Sequence, residues 1–352
     1  MNIKLRSERR VVRQLAAGCL ANIALMCCIC VVNAGELQIR PRNFIVTPST
    51  GPVAEIVVKN GSDKTVSGVL KPSFPSDWKV SPLTQQIELK AGESQIVPFA
   101  IEKGSDLKAN VYPVKVSTGN TVIDASVVCA STPYYKPEID GNLDEWADAI
   151  PVEFITKGKK TVVRSYWNKK QFCLAVEVEE EELIGLTDSS EKKGVDAVQF
   201  ALSPGKSVTA DQSVRYEYLV TASNSMWTGD KCFKIMSPGE SLSTAKESRK
   251  LKPLFLKEAA VKVKRTGNIT TYEIAVPMKA MKTLRATAGR EYNFSLLVHD
   301  PDGTGIRDLG SVMNLWPEQH NAAAWSNWEL AKWNGYSPFD NKVEFGFCSS
   351  IH

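Results

Sequence analysis

The sequence predicts an all-β protein of two β-sandwich domains behind an N-terminal export segment. Three observations carry this. Beyond residue 35, apolar and polar residues alternate in short segments, the pattern of strands with one buried face. Turn pairs such as Asn60-Gly61, Ala91-Gly92 and Gly119-Asn120 separate those segments. No long stretch carries the roughly 3.6-residue period of an amphipathic helix. At 352 residues, 43% of them apolar and 23% charged, the chain can build two ordinary cores.

The first 34 residues read as a signal peptide. Cations Lys4, Arg6, Arg9, Arg10 and Arg13 precede an apolar run from Leu15 to Val32, and Val32-Asn33-Ala34 offers small residues for cleavage before Gly35. The run is nearly long enough to span a bilayer, so retention as a membrane anchor stands as the other reading. Leu15-Ala16-Ala17-Gly18-Cys19 also has the look of a lipoprotein box, and Arg9-Arg10 of a twin-arginine signal. Those five cations and Glu8 account for the whole net charge of +4. The remainder is neutral, which gives no electrostatic case for nucleic acid as a partner. Cys129, Cys173, Cys232 and Cys348 are spaced too widely for a zinc or redox motif.

Residues 35–131 supply about seven strands: Val53–Lys59, Val66–Leu70, Gln85–Leu89, Gln95–Ile101 and the hairpin Pro113–Ser117 with Thr121–Val128 among them. That spacing predicts an immunoglobulin-like sandwich. Val57–Gly61, Ser76–Pro82 and Leu89–Ser94 resemble the immunoglobulin-like modules found beside carbohydrate-active domains. Trp78 is expected to cover the edge of that core. Ser131–Pro137, with two prolines around Tyr134 and Tyr135, reads as a stiff linker and sets the domain boundary.

Residues 132–352 form the second, larger sandwich. Its strands are expected at Thr161–Tyr166, Phe172–Val178, Asp196–Leu202, Ser213–Thr221, Ala259–Lys264, Thr271–Val276 and Glu291–Val298. Short helical turns fall at Leu143–Ala149 and Met278–Leu284. An ordered set of motifs runs through it: Glu138–Trp146, Val163–Lys170, Gly194–Phe200, Gln212–Glu217, Tyr272–Pro277, Tyr292–Asp300 and Val343–Gly346. In that order they resemble the family 9 carbohydrate-binding modules. The resemblance implies a non-catalytic protein that binds poly- or oligosaccharide and supports polysaccharide binding or breakdown.

A sugar offers hydroxyls that amides and guanidinium groups bond in pairs, and a ring face that aromatic rings stack against. Strand alternation puts Val214, Tyr216, Tyr218 and Val220 on one face and Arg215 with Glu217 on the other. Gln212 joins that second face only through a bulge or strand end. The alternative for this face is a solvated surface with an Arg215–Glu217 ion pair. The resemblance implies a binding set of Gln199, Gln212, Arg215, Glu217, Asn321, Trp325 and Trp328. Trp316, Trp325, Trp328 and Trp333 are the candidate stacking platforms, with at least one expected in the core, and Asn327 can replace Asn321 beside them. Two positions depart from the family: Gln199 stands for a glutamate, and Glu191–Gly194 lacks a tryptophan.

Asp300-Pro301-Asp302-Gly303, with Asp308, can ligate a structural calcium, which the resemblance also implies; an ordinary acidic turn is the other reading. No nucleophile motif, phosphate loop or dinucleotide fingerprint is present, and His299 and His320 neighbour no nucleophile, so no enzyme is expected. A sandwich that has lost sugar binding and serves as an interaction domain, or holds haem through Met226 or His320, is the alternative function.

Overall fold

The computed structural model describes residues 37–187, 194–205, 215–223, 229–240, 247–312, 320–333, 339–341 and 343–349. The segment expected to direct export, Gln212, Met226 and Trp316 lie outside these. The first half contains β1 (Leu37–Pro41), β2 (Val53–Asn60), β3 (Val66–Ser73), β4 (Lys79–Ser81), β5 (Gln85–Leu89), β6 (Ser94–Lys103), β7 (Val111–Thr118) and β8 (Thr121–Val128). These form two four-stranded sheets, ordered β1-β2-β6-β4 and β5-β3-β7-β8. Alternate residues such as Ile56, Val58, Leu70, Phe99, Val114 and Val116 meet in the core between them. Trp78 closes its edge, packed on Phe44, Phe74 and Tyr112, with Nε1 donating to Ser105 Oγ at 3.0 Å.

The second half continues with β9 (Ser131–Thr132), β10 (Val152–Thr156), β11 (Lys159–Trp167), β12 (Gln171–Glu179), β13 (Ala197–Pro204), β14 (Tyr216–Thr221) and β15 (Lys231–Met236). Then come β16 (Ala260–Thr266), β17 (Ile269–Pro277), β18 (Glu291–Asp300), β19 (Gly305–Asp308), β20 (His320–Ala324), β21 (Phe339–Asn341) and β22 (Val343–Phe347). One sheet runs β10-β11-β12-β17-β16. The facing sheet runs β15-β14-β13-β18-β22-β9, with β19 also on β18. Their inner faces meet through Phe172, Leu174, Phe200, Tyr218, Ile274 and Phe294. The expected turns are short 3-10 segments at Asp144–Trp146 and Met278–Ala280.

Two of the sequence motifs prove to be partners. The Glu273 carboxylate of β17 accepts the Gly141 amide and, at 2.8 Å, the Trp146 indole N–H. This holds the Asp140-Gly141 turn, with Gly141 at φ 86°, and the buried Trp146 against the outside of the five-stranded sheet. Burial pushes the Glu273 pKa up, opposed by those donors.

The stiff linker expected at Ser131–Pro137 is instead part of the fold. Ser131 and Thr132 are β9, paired in parallel with Gly346 and Phe347, so a boundary after residue 131 cuts through a strand. Thr132 Oγ1 bonds Ser165 Oγ at 2.7 Å and also the Tyr292 hydroxyl. Pro133 lacks a donor but its carbonyl accepts the Trp167 amide at 3.0 Å, and the Tyr135 amide returns to the Trp167 carbonyl. Prolines here terminate pairing on one side only.

The two halves interlock at that junction. Arg42 pairs with Glu55 of its own half, and with Glu291 at 3.5 Å and Glu344 at 3.7 Å across the junction. Ile150 from the second half enters the first core. Buried Asn110 holds the Cys129 amide and carbonyl and also donates to the Pro151 carbonyl. A Cβ on Gly346 would run into the Ile45 carbonyl. Gly346→Ala is expected to cost about 1–3 kcal/mol by overpacking. Chemical denaturation would show this as a lower midpoint, while Gly61→Ala, at an exposed glycine with only an ordinary contact to Gln38, leaves the junction untouched.

Candidate functional site

The site is built on the outer face of the sheet containing β13, β14 and β18. In β13, Val198, Phe200 and Leu202 point into the core, so Ala197, Gln199 and Ala201 face outward. Register places Gln199 between Leu219 of β14 and Leu297 of β18, and Ala201 between Glu217 and Ser295. Arg215 and Glu217 share this outward face, opposite Tyr216 and Tyr218, as strand alternation predicts.

The outer face is not solvated. Residues 325–333 lie across it, and Gln199, Arg215, Glu217, Trp325 and Trp328 are all buried. Each Glu217 oxygen is claimed: Ser326 N donates to Oε1 and Ser326 Oγ to Oε2, both at 3.0 Å. Arg215 Nη2 stands 3.2 Å from Oε2, and its guanidinium lies 4.6 Å above the Trp325 ring. The Arg215–Glu217 pair therefore exists, but under a covering segment.

Gln199 joins the parts. Its Nε2 donates to Glu217 Oε1 and, at 3.0 Å, to the Ser326 carbonyl. Its Oε1 accepts Trp328 Nε1 at 3.2 Å and His299 Nε2 at 2.7 Å. Burial pulls the His299 pKa down to about 3, so the ring is neutral. Apolar residues seal the adjacent stretch: Leu186, Val195, Leu219, Phe233, Leu251 and Trp328.

Trp325 and Trp328, expected as open stacking platforms, are core side chains, because segment 325–333 turns them toward the sheet. Trp333 is the half-buried ring at the rim. Its Nε1 donates to Asn327 Oδ1 at 2.8 Å, and its edge meets His299 with ring centroids 5.1 Å apart. Asn327 thus serves as a brace, also accepting the Trp328 amide. Asn321 lies on β20, and neither its side chain nor that of His320 is among those described. Ser326 lies in none of the motifs, and the sequence weighs His299, inside Tyr292–Asp300, only as a catalytic group; the alternation Leu297-Val298-His299 on β18 is the signal that points to it.

A second cluster lies at the end of β18. Ligand oxygens of Asp196, Asp300 and Asp302 all fall within 4.8 Å of one another. Asp196 is buried, with Oδ2 accepting the Ile184 amide and Oδ1 lacking a hydrogen-bond partner. Burial, reinforced by Glu180, pushes its pKa up to about 8. Asp300 goes the other way: burial is outweighed by Thr304 and Arg307, the latter at 2.6 Å, and its pKa falls. An orphaned buried carboxylate oxygen facing two further carboxylates suits a hard divalent cation. The third carboxylate is Asp196, not Asp308, whose Oδ1 is taken by the Gly310 amide at 2.9 Å. A shallow cleft of about 370 Å³, lined by Leu256, Glu258, Lys279, Ala280 and Lys282, holds none of the predicted residues.

No protein-family model matches this chain, and no curated protein does. Among solved structures, it is similar to a family 9 carbohydrate-binding module from Caldicellulosiruptor kristjanssonii in complex with glucose. That likeness has 13% identity and a TM-score of 0.39, covering 62% of this chain and 94% of that one. The module from the same organism in complex with cellotriose gives 13% identity and a TM-score of 0.38, over 62% and 92%.

Glu180 generates a pH prediction. Burial pushes its pKa up to about 7, Thr270 opposing and Asp300 adding to the rise. A raised carboxyl pKa stabilises the fold below the unfolded value of about 4.3, and that contribution is lost as pH rises through the folded value. With a chelator present, stability is expected to fall between about pH 4.3 and 7. Denaturation of Glu180→Gln over the same range should give a flatter profile.

Proposed function

We propose that this chain is an exported, non-catalytic carbohydrate-binding protein that acts on poly- or oligosaccharide beside separate enzymes. One observation carries the reading: an amide, a guanidinium, a carboxylate and three indoles from β13, β14 and residues 325–333 converge on one place. Those are the groups that bond sugar hydroxyls and stack on sugar rings. In the closed arrangement Trp333 is the ring a sugar can meet. Glu217 is buried and held by Ser326 and Gln199, a placement unsuited to general acid–base work. The basic and apolar N-terminal segment supports export.

Calcium is the proposed structural ion, held by Asp196, Asp300 and Asp302. At a hundred times its Kd, calcium would add about 2.7 kcal/mol to stability. Thermal unfolding in calcium against chelator should show this as a raised Tm, and Asp196→Asn should remove the difference.

Glycan-array screening of the mature protein, followed by affinity electrophoresis on whatever it retains, tests the sugar reading. Trp333→Ala is expected to weaken retention by about 1–3 kcal/mol, the worth of a stacked ring transferred from base–aromatic stacking, with the strand content by circular dichroism unchanged. Absence of binding to every glycan would overturn the reading.

A further inference from the structure

We propose that Gln199 is a positioning residue that keeps residues 325–333 closed over the sheet, and that an ionised carboxylate could not take its place. Its meaning for ligand access rests on the sugar-binding reading; the closure itself does not.

An amide carries two donors on nitrogen and two acceptor sites on oxygen. Gln199 uses all four, the donors on Glu217 and the Ser326 carbonyl, the acceptors on Trp328 and His299. Its orientation follows from those partners: reversed, the oxygen would face the Glu217 carboxylate and the nitrogen would face two N–H donors. Two of the four bonds run to the covering segment itself, through Ser326 and Trp328. A third goes to Glu217, which grips Ser326 twice more. One side chain on β13 therefore ties the sheet to its cover and braces the other residue that does so.

A carboxylate at this position could accept from Trp328 and His299 but could donate to nothing. It would also set a second negative charge against Glu217 in a buried site, where like charges cannot both ionise without large cost. The charged or titratable groups facing this position among the described residues are Glu217 and Arg215 at β14 and the neutral His299 of β18. The closed cover hides Trp325 and Trp328 and leaves Trp333 at the rim, so the amide sets which rings a ligand finds.

Tryptophan emission and its quenching by acrylamide read the closure without any sugar. Wild type should stay protected from acid to neutral pH. Gln199→Glu should match it at the acid end, where a shared proton replaces one amide hydrogen. As pH rises it should lose protection and shift its emission to the red, with far-ultraviolet circular dichroism unchanged. Gln199→Met, similar in length but without hydrogen-bonding groups, should lose protection at every pH. If Gln199→Glu stays as protected as wild type at neutral pH, the proposal fails. It fails equally if Gln199→Met stays as protected as wild type, and this second arm decides the matter should the glutamate variant not fold. A negative glycan screen with these outcomes intact would overturn the sugar reading alone.

Discussion

A carboxylate can be buried in protein only where several donors share its charge, and Glu217 meets that demand by drawing distant parts of the chain together. Its oxygens collect Ser326, Gln199 and Arg215. Segment 325–333 therefore lies across the sheet, and β13, β14 and most of β18 are buried on both faces. Burial on both faces is unusual for an antiparallel sheet, which commonly leaves one face to water. Here the second face is closed partly by apolar packing and partly by a polar network whose members are mutually bonded. Such a network is tolerated because the Glu217 carboxylate and the Gln199 amide at its centre each have their hydrogen bonds filled.

Strand positions, their alternation and the pairing of Arg215 with Glu217 were legible in the sequence, since a period of two residues assigns faces without knowledge of the fold. What alternation cannot tell is whether an outward face meets solvent. That depends on a segment about a hundred residues further along the chain, and nothing local to Tyr216-Glu217-Tyr218 announces it. Trp325 and Trp328 show the same limit from the other side. A tryptophan reads equally well as a platform or as core, and only the Ser326 contacts between them decide the direction they face. Asp196 opens an apolar strand and its role as third carboxylate becomes visible only when Asp300 arrives on the neighbouring β18.

The junction between the halves carries a related lesson. Prolines at 133 and 137 suggested a linker, because proline cannot donate to a ladder. It can still accept, and Pro133 does so from Trp167. Arg42, with carboxylates from both halves around it, fixes the orientation of the first sandwich against the second. Burial lowers the pKa of Arg42 but the surrounding Glu344, Glu55 and Glu291 more than compensate, so the net shift is upward and the group stays charged. The first sandwich is a fixed buttress for the second, and its role as a mere spacer would require a looser joint.

The parallel pairing of β9 with β22 also bears on how the chain reaches this state. β9 opens the second half and β22 closes it, so their contact spans nearly that whole half of the chain. Closing so long a loop is entropically slow, and contacts of this range dominate the folding times of β proteins. During synthesis β9 emerges well before β22, so this edge stays without that partner until residues 343–347 follow. The first sandwich, complete by then, holds Cys129 and Ala130 in place beside it. Order of emergence thus supplies a template for the last strand to find.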